Sequence, residues 1–197
     1  MLILASGSPR RAKILRDCGV EFTVVKSDAP EVSYPHDPER TVKENALAKG
    51  RVVLNTETRI PRTTVSCEAG ASGVRHRDES GVLSADTIVW YNGKIYGKPR
   101  DLDEAKEYLR ELSGNVHTVF TGVAYNGEVK VVKSDVKFRQ LSDAMIDEYV
   151  ARVKPTDRAG AYDIDESGDL IVESYTGSYE NIMGLPVEPL KEWEIVR

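Results

Sequence analysis

Two Asn-Gly dipeptides, Asn92-Gly93 and Asn126-Gly127, limit the possible folds of this 197-residue chain more than any other feature. Asn-Gly is the preferred centre of a two-residue hairpin, because both central residues must take positive φ there. Val116–Tyr125 and Glu128–Phe138 flank the second dipeptide, and Val82–Tyr91 and Lys94–Gly97 flank the first, so two antiparallel pairs are expected. The start of the chain imposes the opposite constraint. Leu2–Ala5 reads as a short strand, and Ile14, Leu15 and Cys18 form an apolar helical stripe that stops at Gly19. Val20–Val25 reads as the next strand. A strand, crossover helix, strand unit pairs in parallel. Together these features imply an α/β fold around a mixed sheet flanked by helices, and argue against a doubly wound parallel sheet.

The remaining segments fill in this outline. Ser27–Asp37 contains two prolines and three acidic residues and reads as a surface loop. Pro38 and Glu39 open a helix to about Leu54, with Val42, Ala46, Val53 and Leu54 on its inner face. From Asn55 to about Gly81 the periodicity fails, and this stretch reads as an exposed, partly mobile excursion with a short strand at Thr63–Cys67. Asp101 caps a helix to Leu112, with Glu104 placed for a reciprocal capping box and Ser113-Gly114 ending it. Ser142 caps a helix over Asp143–Val153, stopped by Pro155. Gly160–Ile164 and Leu170–Ser174 read as strands joined by a turn at Glu166–Asp169, and Pro186 opens a last helix. No repeat or Pro/Ser-rich linker divides the chain, so one domain over 1–197 is expected, carrying an irregular insertion around 55–81.

Composition narrows the partners. With 27 basic and 32 acidic residues the net charge is −5, which argues against stable nucleic-acid binding and against an anionic membrane surface. No run has the length of a membrane span, and the N-terminal apolar stretch is too short for a signal peptide. Cys18 and Cys67 lack metal or redox spacing, and His36, His76 and His117 form no ligand pattern. A cytoplasmic protein without structural zinc or disulfides is expected.

Two stretches carry candidate chemistry. In Ala5-Ser6-Gly7-Ser8-Pro9-Arg10-Arg11 a strand ends in small residues, Ser8 suits an N-cap, Pro9 suits the first helical position, and two arginines follow. Free amides, the positive end of the helix dipole and paired guanidiniums make an anion site. The alternative is an ordinary turn with solvated arginines. The second stretch is Leu83-Ser84-Ala85-Asp86-Thr87-Ile88-Val89, where a carboxylate interrupts an apolar strand among small neighbours. Such a group is costly unless paired, and the small neighbours leave room for a ligand.

Lys49 on the second helix and Lys98 before Pro99 would complete a cationic pocket around one carboxylate. Glu31 in its acidic loop is a second candidate hard-oxygen donor beside Asp86 for magnesium or manganese; its alternative, favoured by the residues alone, is a loop carboxylate facing water. Such a pocket fits a polyphosphate with a divalent metal. No Walker A, G-x-G-x-x-G or G-x-S-x-G motif is present. Later glycine-bearing turns at Asp157–Tyr162, Gly177–Tyr179 and Gly184–Pro186 are either punctuation or the walls of a flat base pocket.

Seven blocks, in order along nearly the whole chain outside Asn55–Gly81, resemble the Maf family of nucleoside triphosphate pyrophosphatases. They begin with Ala5–Arg11, Glu44-Asn45-Ala46-x-x-Lys49, Ala85-Asp86-Thr87-Ile88-Val89 and Gly97-Lys98-Pro99. Leu112-Ser113-Gly114-x-x-His117-x-Val119-x-Thr121-Gly122-Val123, Ala159-Gly160-Ala161-Tyr162 and Gly177-Ser178-Tyr179-x-Asn181-x-x-Gly184-Leu185-Pro186 follow. The resemblance implies an elongated mixed sheet of the inosine triphosphate pyrophosphatase type, usually as a homodimer. It implies hydrolysis of the α–β phosphate bond of a nucleoside triphosphate, giving a monophosphate and pyrophosphate.

By the same resemblance Asp86 is the general base or metal-linked water activator, and Glu31 helps it hold Mg2+ or Mn2+. Arg11, Lys49 and Lys98 bind the triphosphate, with Ser6 and Ser8 completing the cradle. Base choice falls to Arg10, Thr87 and Asp165. Arg10 and Thr87 agree with the branch that takes dTTP and UTP, whereas that branch has glutamine where Asp165 stands. The family's association with septum inhibition supplies the alternative, a non-catalytic nucleotide-binding regulator of cell division.

Overall fold

The computed structural model describes residues 1–57 and 81–197. The expected strand at Thr63–Cys67, and all of the excursion between residues 58 and 80, lie outside the described residues. Among the described residues, seven strands form one mixed sheet in the order β2-β1-β3-β5-β6-β7, with β4 also paired to β3. They are β1 (Leu2–Leu4), β2 (Phe22–Val24), β3 (Gly81–Tyr91), β4 (Lys94–Tyr96), β5 (Val116–Tyr125), β6 (Glu128–Phe138) and β7 (Val172–Thr176). The helices are α1 (Pro9–Asp17), α2 (Pro38–Glu57), α3 (Leu102–Leu112), α4 (Asp143–Val153), α5 (Tyr179–Met183) and α6 (Glu188–Glu192).

Both Asn-Gly pairs form the expected hairpins. Asn92, Gly93, Asn126 and Gly127 all have positive φ, as a primed turn needs. Tyr125 pairs with Glu128, and the β5–β6 ladder then runs back to Val116 opposite Lys137. At the other side of the sheet, β1 is parallel to both β2 and β3, with Leu4 level with Leu83.

Several boundaries differ from the sequence reading. Helix α2 continues to Glu57, and β3 starts at Gly81. Asp101 caps α3 by accepting the Glu104 amide at 2.8 Å, but Glu104 returns its carboxylate to the amide of Arg100, one residue before the cap, at 2.6 Å. The expected strand Gly160–Ile164 is absent; Ala159–Ala161 is a 3-10 turn in which Gly160 and Ala161 both have positive φ. The turn lies tight against β3, where a Cβ on Gly160 would stand 2.7 Å from the Val89 side chain. A second 3-10 turn at Gly168–Leu170 delays the last strand to Val172. The helix expected from Pro186 is α6, which starts at Glu188, and an additional short helix, α5, precedes it, ended by Gly184 at φ +107.

Alternation along β3 sends successive side chains to opposite layers. Ser84, Asp86 and Ile88 face α2; Ser84 Oγ donates to the Ala46 carbonyl at 2.7 Å, and Ile88 packs with Val42. Leu83 and Ala85 face the layer of α1, Leu185 and Leu190, and Val89 joins the cluster of Leu109, Leu112, Ile146 and Tyr149.

The two ladders on one side of β3 do not meet. Strand β1 covers Gly81–Leu83 and β4 covers Val89–Tyr91, while β5 runs along the opposite edge from Leu83 to Trp90. Residues 84–88 therefore have a strand neighbour on one edge only. That gap positions the site.

Candidate active site

A cleft of about 650 Å³ opens at the gap, within the usual range for a small-molecule site. Because β3 has no strand partner on that edge, Asp86 and Thr87 both line the cleft although their side chains leave opposite faces of the strand. The β1–β3 register brings Ser6 alongside this segment, and the turn after β1 carries Ser6, Gly7, Ser8, Arg10 and Arg11 into the wall. The chain leaving β4 adds Gly97 and Lys98 from the other end of the gap.

Helix α2 supplies the partners of Asp86. Asn45 and Lys49 are one turn apart and so share a face. Lys49 Nζ lies 2.6 Å from Asp86 Oδ1 and 2.7 Å from Glu31 Oε1, bridging the two carboxylates. Asn45 is buried and fully used. Its side-chain amide donates to Asp86 Oδ2 at 2.9 Å and to the Val32 carbonyl at 3.0 Å, and Oδ1 accepts the Val32 amide at 2.8 Å. This pattern fixes the orientation of the Asn45 amide, since a flipped side chain would face like groups with like. Asn45 thereby ties the loop of Glu31 to Asp86.

Arg11 is engaged by neutral acceptors. Nε donates to the Gly184 carbonyl at 2.8 Å, Nη1 to Ser6 Oγ at 2.9 Å and Nη2 to Thr87 Oγ1 at 3.1 Å. Burial lowers its pKa to about 10, with the negative charge of Asp86 opposing that shift and Arg10 adding to it. Thr87 Oγ1 also lies 3.0 Å from Thr121 Oγ1, tying β3 to β5 behind the arginine. Ser8 occupies the N-cap position of α1 but makes no side-chain capping bond; its amide donates to Ser6 Oγ at 3.2 Å. Lys98 and Lys26 are exposed at the cleft, and neither has an ion-pair partner among the described residues.

The residues expected from the sequence are thus distributed as follows. Ser6, Ser8, Arg10, Arg11, Glu31, Lys49, Asp86, Thr87 and Lys98 all line one cleft. Asp165 does not line it: its carboxylate is exposed, 3.1 Å from Lys13 Nζ and 3.2 Å from the Tyr179 hydroxyl. The carboxylate lining the cleft in this segment is Asp163, paired with Arg10 at 3.3 Å.

Three lining residues escaped the sequence reading as functional groups: Lys26, Asn45 and Asp163. Asn45 sits one turn from Lys49; its signals were its place in the Glu44-Asn45-Ala46-x-x-Lys49 block and a polar residue at a buried helical position. The single sign of Lys26 was its place at the end of the second strand. Tyr162, also in the wall, lies 3.0 Å by its hydroxyl from Nε2 of the buried His117, whose pKa burial lowers to about 3 so that the imidazole is neutral.

Among the described residues, no three carboxylate, histidine or cysteine groups converge as a metal site. The hard-oxygen donors are the pair Asp86 and Glu31, already gathered around one cation, the Lys49 ammonium. Such a pair suits a magnesium-type ion, which takes one or two carboxylates and completes its shell with phosphate oxygens and water.

A family model described as Maf-like protein matches residues 1–193. The dTTP/UTP pyrophosphatase of Desulfitobacterium hafniense is 43% identical over 199 residues, covering 98% of this chain and 83% of that protein. The dTTP/UTP pyrophosphatase of Thermosipho melanesiensis is 35% identical over 199 residues, covering 99% and 96%. The protein of the same name from Bacillus cytotoxicus is 39% identical over 193 residues, covering 95% and 91%.

Proposed function

The chain belongs to the Maf-like protein family, and on that premise we propose that it is a nucleoside triphosphate pyrophosphatase acting on dTTP, UTP or modified counterparts. One observation carries the reading: a buried carboxylate, Asp86, stands on the open edge of β3 with Lys49 bridging it to Glu31. Cations around one fixed carboxylate are what a polyphosphate hydrolysis needs.

In this reading a water attacks the α-phosphorus, Asp86 accepts its proton, and the bond from the α-phosphorus to the bridging oxygen breaks. The electron pair leaves with pyrophosphate, and the nucleoside monophosphate carries the water oxygen. Arg11, Lys49 and Lys98 bind the phosphates, with Ser6, Ser8 and the amides of the α1 turn as further donors. Lys49 is shared by both carboxylates in the free protein; with a polyanion in the cleft its ammonium is shared with phosphate oxygens as well. Asp86 and Glu31 would hold a magnesium or manganese ion, which when bound supplies charge neutralisation on the phosphates. The family resemblance supports action in the cytoplasm as a homodimer, and light scattering checks the latter as a mass twice the chain's 21.9 kDa.

The test is Asp86→Asn. It keeps the shape and one of the two acceptors, enough for Lys49 or Asn45 but not both, and removes the base, so pyrophosphate release from dTTP or UTP should fall by about 10³-fold while the protein stays folded. Undiminished release would remove Asp86 from this role. Nucleotide binding by the unsubstituted protein, with no product under magnesium or manganese, would point to the non-catalytic regulator instead.

A further inference from the structure

The reading above gives phosphate chemistry to one set of cleft residues and leaves Asp163 unexplained. A carboxylate lining a triphosphate cleft repels the substrate unless something neutralises it. Asp163 is 6% exposed and firmly held. Its Oδ2 accepts from Arg10 Nη1 at 3.3 Å and from Arg158 Nε at 3.0 Å, and its Oδ1 accepts the Asp165 amide at 2.9 Å. Its own amide donates to the Tyr149 hydroxyl at 2.9 Å, anchoring the backbone to α4. Arg158 is fixed in turn by Asp157 at 2.7 Å and Glu166 at 2.6 Å. Asp163 is therefore a rigid post, and Arg10 is the more exposed partner tied to it.

The tie has two consequences. Arg10 gives its charge to a neighbouring carboxylate, so it adds less to the net attraction for phosphate than Lys98 or Lys26 does. It also spends one of five N–H donors on Asp163, and among the described residues no hydrogen bond engages the others. The cleft that Arg10 lines also has the apolar Ala159 and Ile182 in its wall. A charge-compensated guanidinium held at one nitrogen, in a cleft with apolar wall, suits a flat, uncharged group with carbonyl acceptors better than a phosphate.

Resting on the nucleotide reading, we infer that Asp163 is a specificity-determining residue that acts through Arg10. By fixing the guanidinium it presents the free N–H groups as a donor edge that selects bases rich in carbonyl oxygens, uracil and thymine, over cytosine with its exocyclic amine. Asp163 is a positioning residue in this scheme and Arg10 the reader. The Asp165 carboxylate, directed outward to Lys13 and Tyr179, has no part in it; only its backbone amide does, by holding Asp163.

The test is binding of the α,β-methylene analogues of UTP and CTP, which cannot be cleaved at the α–β bridge, to the full-length protein by calorimetry. The unsubstituted protein should bind the UTP analogue at least about tenfold tighter. Asp163→Asn keeps the acceptor for the Asp165 amide but loses the charge that ties Arg10, and should reduce that preference to about threefold or less. Arg10→Gln keeps Asp163 in its network with Arg158 and should have the same effect, which covers the case where the Asp163 variant folds poorly. A loss of stability alone would weaken both analogues equally and leave the ratio unchanged. An unsubstituted protein without preference, an unmoved ratio in a folded Asp163→Asn protein, or an unmoved ratio in Arg10→Gln overturns the inference. Because the readout is binding, a protein that prefers the UTP analogue yet releases no pyrophosphate would sink the hydrolase reading and leave this one standing.

Discussion

Arg11 illustrates how a single residue can be placed for chemistry at a cost to folding. Its guanidinium is held by a carbonyl and two hydroxyls and by no carboxylate, and burial lowers its pKa to about 10. The sign follows from linkage. A cation whose folded pKa lies below its unfolded value costs stability at every pH below the folded pKa, and that cost fades only as pH rises towards the unfolded value. At neutral pH the full cost is present, so removing the charge relieves it and offsets the three lost hydrogen bonds. Arg11→Met should therefore hold the thermal midpoint to within about 3 °C, at roughly 2–4 °C per kcal/mol for a chain of this size. Its kcat/KM should drop at least about 100-fold, the scale of losing one preorganised donor to a phosphoryl group. A large fall in midpoint with activity retained would mean that Arg11 is a structural strut. Asp86 was legible in the sequence for a related reason, because a carboxylate in an apolar strand demands a partner. Asp163 was not. Read as a strand, its segment would place residues 163 and 165 on one face. The bends over residues 164–167, which follow the 3-10 turn at Ala159–Ala161, break that alternation and separate them.

Helix α2 brings Asn45 and Lys49 to Asp86, and a glycine permits its approach. Gly122 on β5 lies under the α2 backbone, where a Cβ would collide with the Val42 carbonyl. Backbone cannot rotate away as a side chain can, so Gly122→Ala must lift the helix from the sheet. The expected cost is about 1–3 kcal/mol, seen as a fall of several degrees in thermal midpoint. The activity measured well below that midpoint should fall too, because Asn45 and Lys49 move with the helix. Unchanged activity in a destabilised variant would show that the α2–β3 contact tolerates displacement. The helix itself was plain in the sequence from Pro38 at its first position and its inner-face residues, of which Val42, Ala46 and Val53 are buried as expected and Leu54 is half-buried. The hairpins were equally plain, since Asn-Gly states its own backbone conformation. Strand 160–164 was misread because its small and apolar residues fit a buried turn as well as a buried strand, and only the contact with Val89 decides between them.

At the scale of the whole molecule, the mixed sheet was implied by an early crossover unit followed by hairpins, but the order of strands was not. Nothing local indicates that β1 lies between β2 and β3, or that β1 and β4 share one edge of β3 and leave residues 84–88 open. Those are pairings between distant parts of the chain, and they create the cleft. The function proposed for this opening is hydrolysis of the α–β bond by attack of water on the α-phosphorus. The direct measurement is a turnover of UTP in ¹⁸O-labelled water with the products resolved by mass. One labelled oxygen in UMP and none in pyrophosphate, released one to one, is the predicted result. Label in the phosphate leaving group, or UDP with orthophosphate as products, would contradict it.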